Sequence, residues 1–173
     1  MNSLNVLAID PAQRCGWAWS DGIRRHSGTW TLGPRRESDL RRFIYAKVDE
    51  LATDVIAYEL AGFGSRNPAV KASHDRLAGV IVAAAQDLGM NCWGLGISTC
   101  KSRALGKGNA KKPDVVRLLG LLHGIKVIDF DEADAIGILL AACQGPPPLT
   151  KKKMAKRLAK VLKSRQPTLF RVK

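Results

Sequence analysis

Two short apolar runs in the chain each end on a carboxylate. Residues 6–9 are apolar and precede Asp10, and residues 55–57 lead through Tyr58 to Glu59. Continuous apolar runs of this length are typical of strands buried on both faces. In an open α/β sheet the ends of such strands meet at the edge where ligands bind. We therefore expect Asp10 and Glu59 at the ends of two central strands.

A hairpin is predicted directly after the first of these strands. Pro11 ends the strand because proline has no backbone N–H to donate. Residues 15–20 and 24–32 favour two further strands, with Asp21 and Gly22 at the turn between them. The first three strands are thus predicted to form an antiparallel meander.

The segment between the meander and the second carboxylate strand predicts a helix. Residues 37–51 carry apolar side chains at helical spacing: Leu40, Phe43, Ile44, Val48 and Leu51. A strand, a helix and a returning strand normally form a parallel, right-handed crossover. This connection would place strand 55–59 beside strand 6–10, and Asp10 beside Glu59.

The second half of the chain predicts one more strand and several helices. The expected elements are a helix at 69–88, a strand at 90–97, a basic loop at 101–112, a helix at 113–122 and a helix at 129–143. The predicted fold class is therefore α/β. It has a mixed five-stranded sheet, in which the first three strands form the meander and the others are parallel, flanked by helices.

Acidic residues crowd the start of the last predicted helix. Asp129 and Glu132 fit a pair that caps the helix N-terminus. Asp131 and Asp134 share one helical face at i and i+3. Asp134 lies within an apolar run, where an acid costs stability unless a partner satisfies it.

Four carboxylates are thus candidates for a single site: Asp10, Glu59, Asp131 and Asp134. Clustered acids repel one another unless cations share their charge. Oxygen ligands suit Mg²⁺ or Mn²⁺. Two such ions about 4 Å apart can hold the attacking and leaving oxygens of phosphodiester hydrolysis. The cluster therefore indicates metal-dependent cleavage, with two ions in each site.

The charge of the chain indicates a nucleic-acid partner. Lys and Arg number 28 against 15 Asp and Glu, which gives a net charge of +13. Residues 146–173 hold ten of these basic residues and no acid, so the first 145 residues are close to balanced. We divide the chain into a domain at 1–145 and a basic tail at 146–173. The tail is either helical or disordered, and it either adds affinity for a polyanion or is merely solvated.

The motifs resemble those of RuvC-type Holliday-junction resolvases, which are RNase H-like nucleases. The resemblance covers about residues 4–143 and rests on Ile9-Asp10-Pro11 with Gly16-Trp17-Ala18, on Tyr58-Glu59, on the basic segment from Lys101 to Lys112, and on Asp131-Glu-Ala-Asp134-Ala. It implies an RNase H-like fold. It also implies a homodimeric, metal-dependent endonuclease that cuts four-way DNA junctions symmetrically.

The resemblance also implies roles for individual residues. The metal ligands would be Asp10, Glu59, Asp131 and Asp134, while Lys101 and Lys112 would contact the scissile phosphate and Lys112 would act in catalysis. The DNA-binding residues we predict are Lys101, Arg103, Lys107, Lys111, Lys112, Phe63 and Arg66. Phe63 would either insert into the junction or fold onto the core. The helix at 69–88 would pack across the dimer axis.

Other interpretations of the sequence remain open. The chain fits a non-catalytic protein that binds branched DNA, and it fits a less selective nuclease acting on flaps or RNA–DNA hybrids. The three histidines, His26, His74 and His123, have no metal-binding spacing, and structural or surface positions are expected for His74 and His123. Neither a signal peptide nor a long apolar segment is evident, so we expect a cytoplasmic protein. A bacterial or phage origin is expected, with an organelle not excluded.

Overall fold

A mixed five-stranded sheet forms the centre of the structure, a computed structural model that describes residues 4–60 and 67–147. Its strands are β1 (Val6–Asp10), β2 (Arg14–Ser20), β3 (Arg25–Thr31), β4 (Val55–Leu60) and β5 (Asn91–Gly96). They lie in the order β3-β2-β1-β4-β5, with β1, β2 and β3 antiparallel and β1, β4 and β5 parallel. The predicted meander and parallel crossover are confirmed.

Helices cover both faces of the sheet. They are α1 (Arg36–Leu51), α2 (Pro68–Asp87), α3 (Ile97–Leu105), α4 (Lys112–His123) and α5 (Phe130–Ala142). Side chains alternate along β1, so Leu7 and Ile9 pack with α1 and α2 while Val6 and Ala8 pack with α3, α4 and α5. Burial on both faces explains why the sequence of β1 is continuously apolar.

One predicted element is wrong. The basic segment at 101–112 is not a loop throughout, because α3 runs through Lys101 and Arg103 and ends at Leu105. Three of its side chains are buried at helical spacing: Cys100, Ala104 and Leu105. Gly106 then ends the helix in the left-handed conformation, with φ +68°. The other elements agree with their predicted bounds to within one residue.

Several predictions fall outside the described residues. These are the roles of Phe63 and Arg66 and nearly all of the basic tail at 146–173. The division of the chain at residue 145 also stays a prediction. Among the helices described, none has the length and apolar character needed to cross a bilayer.

Candidate active site

The two strand-end carboxylates lie side by side, as predicted. Ile9 of β1 pairs with Tyr58 of β4, so the residues that follow them, Asp10 and Glu59, stand at the same level of the parallel pair. Alternation along the strands directs both side chains to the sheet face covered by α5. The carboxyl edge of the sheet thus carries two neighbouring acids.

The N-terminal turns of α5 supply the other two acids. The carboxylate of Asp129 caps the helix by accepting hydrogen bonds from the backbone N–H groups of Asp131 (2.9 Å) and Glu132 (3.2 Å). The carboxylate of Glu132 accepts a hydrogen bond from the Ser27 hydroxyl at 2.7 Å, and among the described residues it accepts none from the Asp129 N–H. The cap fixes where the helix begins and hence where Asp131 and Asp134 lie.

These acids are close enough to Asp10 to change its protonation. Burial raises the pKa of Asp10 to about 7, and the charges of Asp134 and Asp131 add to the rise. Burial also raises the pKa of Glu59 to about 8, with contributions from Asp10 and Asp134. Burial likewise raises the pKa of Asp134. The site therefore resists holding all of its negative charge without a cation.

Lys112, at the start of α4, is a cation that meets two of the acids. Its Nζ lies 3.3 Å from Oδ1 of Asp131 and 3.5 Å from Oδ2 of Asp134. Burial lowers the pKa of Lys112, but the two carboxylates outweigh it, so the pKa is raised overall. About half of the side chain remains exposed, at 53%. Lys112 thus lies between the acids and the solvent.

Lys101 and Arg14 bring two further positive charges to the four acids. The Nζ of Lys101 donates to the Ala110 carbonyl at 2.7 Å, and its charge lowers the pKa of Asp10 and Glu59. The Nε of Arg14 donates to Oδ2 of Asp131 at 3.1 Å, and another of its guanidinium nitrogens pairs with Asp129. The two carboxylate oxygens of Asp131 therefore pair with different cations, Oδ2 with Arg14 and Oδ1 with Lys112.

His74 of α2 belongs to the site, although the sequence interpretation did not include it. One oxygen from each of Asp10 and Glu59 and one ring nitrogen of His74 all lie within 4.8 Å of one another. Both ring nitrogens are shielded from solvent, and neither has a hydrogen-bond partner among the described residues. Leaving a buried polar group unpaired costs about 1–3 kcal/mol.

A signal for His74 exists in the sequence, in the apolar stripe of α2. Leu77 and Ile81 are buried against the sheet, and His74 continues their stripe one turn toward the helix N-terminus. Because α2 follows β4 and leads to the parallel β5, its N-terminus lies at the carboxyl edge of the sheet. A polar residue at that end of a buried apolar stripe is therefore a sequence signal for a residue of the site.

The residues present fit a divalent cation. Carboxylate oxygens and an imidazole nitrogen are both ordinary ligands for such ions. The unpaired nitrogens of His74 and the raised pKa values of Asp10 and Glu59 each mark a place where a cation would relieve an unfavourable arrangement. Asp134 adds negative charge beside this group of three ligands.

The candidate DNA-binding residues differ in what they contact. Lys111 is exposed, and Lys107 pairs with Asp114 at 3.1 Å. The guanidinium of Arg103 donates to three backbone carbonyls at the C-terminal end of α5 and just beyond: those of Ala141 (3.2 Å), Gly145 (2.8 Å) and Pro146 (3.4 Å). Contact of these residues with DNA stays a prediction.

The chain is similar to proteins of one family. No protein-family profile matches it. The crossover junction endodeoxyribonuclease RuvC of Brachyspira hyodysenteriae is 30% identical over 148 residues, which cover 79% of this chain and 91% of that protein.

Solved structures share the fold. RuvC of Thermus thermophilus superposes with a TM-score of 0.66 at 19% sequence identity. The same protein in complex with a Holliday junction substrate superposes with a TM-score of 0.68 at 20% identity. Both superpositions cover 80% of this chain and 92% of the Thermus chain. The yeast mitochondrial Holliday junction resolvase Ydc2 gives 0.56 at 14% identity, covering 82% of this chain and 78% of its own. The RNase H-like fold class is thereby confirmed. Because it is 30% identical to the Brachyspira protein and the alignment covers most of both chains, the chain belongs to the RuvC family of crossover junction endodeoxyribonucleases.

Proposed function

We propose that this chain is an endonuclease that resolves four-way DNA junctions by paired, symmetric phosphodiester hydrolysis with divalent metal ions. One observation carries the proposal: acids from β1, β4 and α5 meet at one edge of the sheet, beside two lysines. The Holliday-junction complex of the Thermus relative supports the choice of substrate.

Asp10, Glu59, Asp131 and Asp134 are assigned to holding the metal, which we propose to be two Mg²⁺ or Mn²⁺ ions. When bound, such ions activate water and stabilise the charge of the leaving oxygen. The chain's own part is to position the ligands: β1 and β4 fix Asp10 and Glu59, and the cap at Asp129 fixes α5. The separate helix and strand origins of these ligands give a rigid site.

Lys112 and Lys101 are assigned to the scissile phosphate. Lys112 is half exposed beside Asp134, so it can reach a phosphate at the mouth of the site while it remains close to the acids. A fixed ammonium there stabilises the negative charge that develops on the phosphate in the transition state. Lys101 contributes from α3, where the Ala110 carbonyl holds its ammonium.

A wider basic surface is assigned to the DNA backbone. It comprises Lys107 and Lys111, with Arg103, Arg66 and the tail at 146–173 as further candidates. Phe63 is a candidate for insertion at the junction. Lysine and arginine contacts of this kind position the duplex without reading its sequence. The net charge of +13 supports this assignment.

The proposal includes a homodimer. Two symmetric cuts need two active sites related by a two-fold axis. We place α2 at that axis, because its outward face presents small exposed residues at Ala72, Gly79 and Ala83, where a second helix can approach closely. The site of action is proposed to be the cytoplasm of a bacterium or of a phage-infected cell, as the bacterial origin of the 30% identical relative suggests.

The choice of substrate tests this function. A synthetic four-way junction, a linear duplex of the same sequence and an RNA–DNA hybrid are incubated with the protein in Mg²⁺ or Mn²⁺. We expect paired nicks at symmetric positions of the junction and little cutting of the other two. Equal cutting of all three substrates would show that the protein is an unselective nuclease. Junction binding without cutting in either metal would show that it is a binding protein.

A further inference from the structure

We infer that His74 is a metal ligand of the active site, and that its nitrogen makes the site prefer Mn²⁺ to Mg²⁺. This inference rests on the proposed metal-dependent cleavage. It adds a ligand from α2, which lies on the sheet face opposite to α5. The bound ion would then be held from both helix layers as well as from the sheet edge.

The fold directs His74 to the ligands rather than to a separate place. The Asn67 carboxamide caps α2 by accepting a hydrogen bond from the Ala69 N–H at 3.0 Å, which fixes where the helix starts. Two turns later His74 lies in line with the buried Leu77. At this height on the helix, the ring stands at the carboxyl edge of the sheet, within 4.8 Å of oxygens of Asp10 and Glu59.

A purely structural role leaves the ring unexplained. A neutral imidazole carries one donor and one acceptor, and in a structural role at least one of them is normally bonded. Here neither nitrogen has a partner among the described residues, although both are shielded from solvent. One ring nitrogen of a neutral imidazole carries a lone pair that can bind a cation. Three ligands of one ion, each at about 2.1 Å, lie within about 4 Å of one another, so a small inward movement closes the site.

The type of donor decides which metal benefits. Mg²⁺ prefers oxygen ligands and gains little from an imidazole. Transition-metal ions accept mixed nitrogen and oxygen sites. The carboxylates alone make a magnesium site, and His74 shifts the balance toward Mn²⁺.

The test uses Mn²⁺ as a spectroscopic probe. Pulsed electron paramagnetic resonance of Mn²⁺ bound to the full-length protein reports directly on nitrogen nuclei that coordinate the ion. The variants are His74→Gln, His74→Glu and the control His26→Gln, whose residue lies exposed on β3. Thermal unfolding of each variant verifies that it is folded.

We expect a ¹⁴N coupling in the wild type and in the His26 control, and no coupling in either His74 variant. His74→Gln should weaken Mn²⁺ binding by at least about tenfold. His74→Glu supplies oxygen in place of nitrogen, so it should lower the ratio of the Mg²⁺ to the Mn²⁺ dissociation constant by at least about tenfold.

The result separates this inference from the proposed function. A folded His74→Gln variant that keeps the ¹⁴N coupling, or a wild type that binds Mn²⁺ and cuts junctions without any such coupling, would overturn the role of His74 and leave the nuclease intact. If wild-type protein binds Mn²⁺ with the nitrogen coupling but cuts no junction, the ligand is established and the proposed reaction fails.

Discussion

The backbone oxygen of Asp131 occupies the space that a side chain on Gly16 would need. A Cβ at Gly16 would stand 1.9 Å from that oxygen and 2.5 Å from its carbonyl carbon. Gly16 is also the strand neighbour of Asp10 across the β1–β2 pair. The missing side chain therefore sets how closely the acids of α5 approach the acid of β1.

Replacing Gly16 with alanine should disrupt both stability and the metal site. The clash is with backbone, which no side-chain rotation can relieve, so α5 must move. We expect the free energy of unfolding, measured by urea denaturation, to fall by about 1–3 kcal/mol. We also expect weaker Mn²⁺ binding. The matched control is Gly137→Ala in the same helix, where a Cβ would meet nothing within 4 Å; it should keep or raise stability. If Gly16→Ala behaves like this control, the close approach does not position the acids.

Lys112→Met should separate metal binding from catalysis. Its ammonium lies within 3.5 Å of both Asp131 and Asp134, so removing it frees their charge for a metal ion. We expect Mn²⁺ to bind as tightly or more tightly by calorimetry, while junction cleavage falls by about 100-fold or more. The control is Lys126→Met, an exposed lysine between α4 and α5. Weaker metal binding together with unchanged cleavage would contradict the role given to Lys112.

The stability of the metal-free protein should fall as pH rises. Asp10 and Glu59 have pKa values raised to about 7 and about 8, so their contribution to stability is fully present below the unfolded-state pKa near 4 and is lost as pH rises through the folded values. In a chelator, the melting temperature should fall from pH 6 to pH 8. The fall should be smaller in Asp10→Asn, which has one titrating acid fewer. Added Mg²⁺ should raise the melting temperature more at pH 8, because metal binding displaces the protons.

The salt dependence of junction binding should distinguish the basic residues from one another. Lys111→Ala and Lys107→Ala should each reduce the slope of the logarithm of affinity against the logarithm of salt concentration by about one. Arg103→Ala should change the slope less and destabilise the fold, because the guanidinium donates to carbonyls at the end of α5. A full unit of slope lost in Arg103→Ala, with stability unchanged, would show that the arginine binds DNA.

The sequence predicted the parts of the site that depend on strands and on local helix pattern. Asp10 and Glu59 were recognisable because buried parallel strands have continuous apolar sequences and end at a common edge. The spacing of Asp131 and Asp134 in a helix was also evident. The resemblance to RuvC-type resolvases is confirmed by the 30% identical relative, while the roles of individual residues stay predictions.

The remaining features depend on contacts between distant segments. Arg14 pairs with Asp131 across 117 positions of the sequence, and no local pattern reports such a pair. His74 joins the site only because α2 begins at the same edge of the sheet where β4 ends. In the segment 101–112, lysines and glycines suggested a loop throughout, but the burial of Cys100 and Ala104 favours a helix up to Leu105.

A cleavage experiment with Asp10→Asn tests the central claim most directly, because Asp10 is the acid that β1 delivers to the others. Wild-type and variant proteins are bound to a four-way junction in a chelator, and Mg²⁺ or Mn²⁺ is then added. We expect equal junction binding, paired nicks from the wild type only after metal is added, and cleavage lower by about 100-fold or more in the variant. Metal-independent cleavage, or a variant that cuts as fast as the wild type, would contradict the central claim.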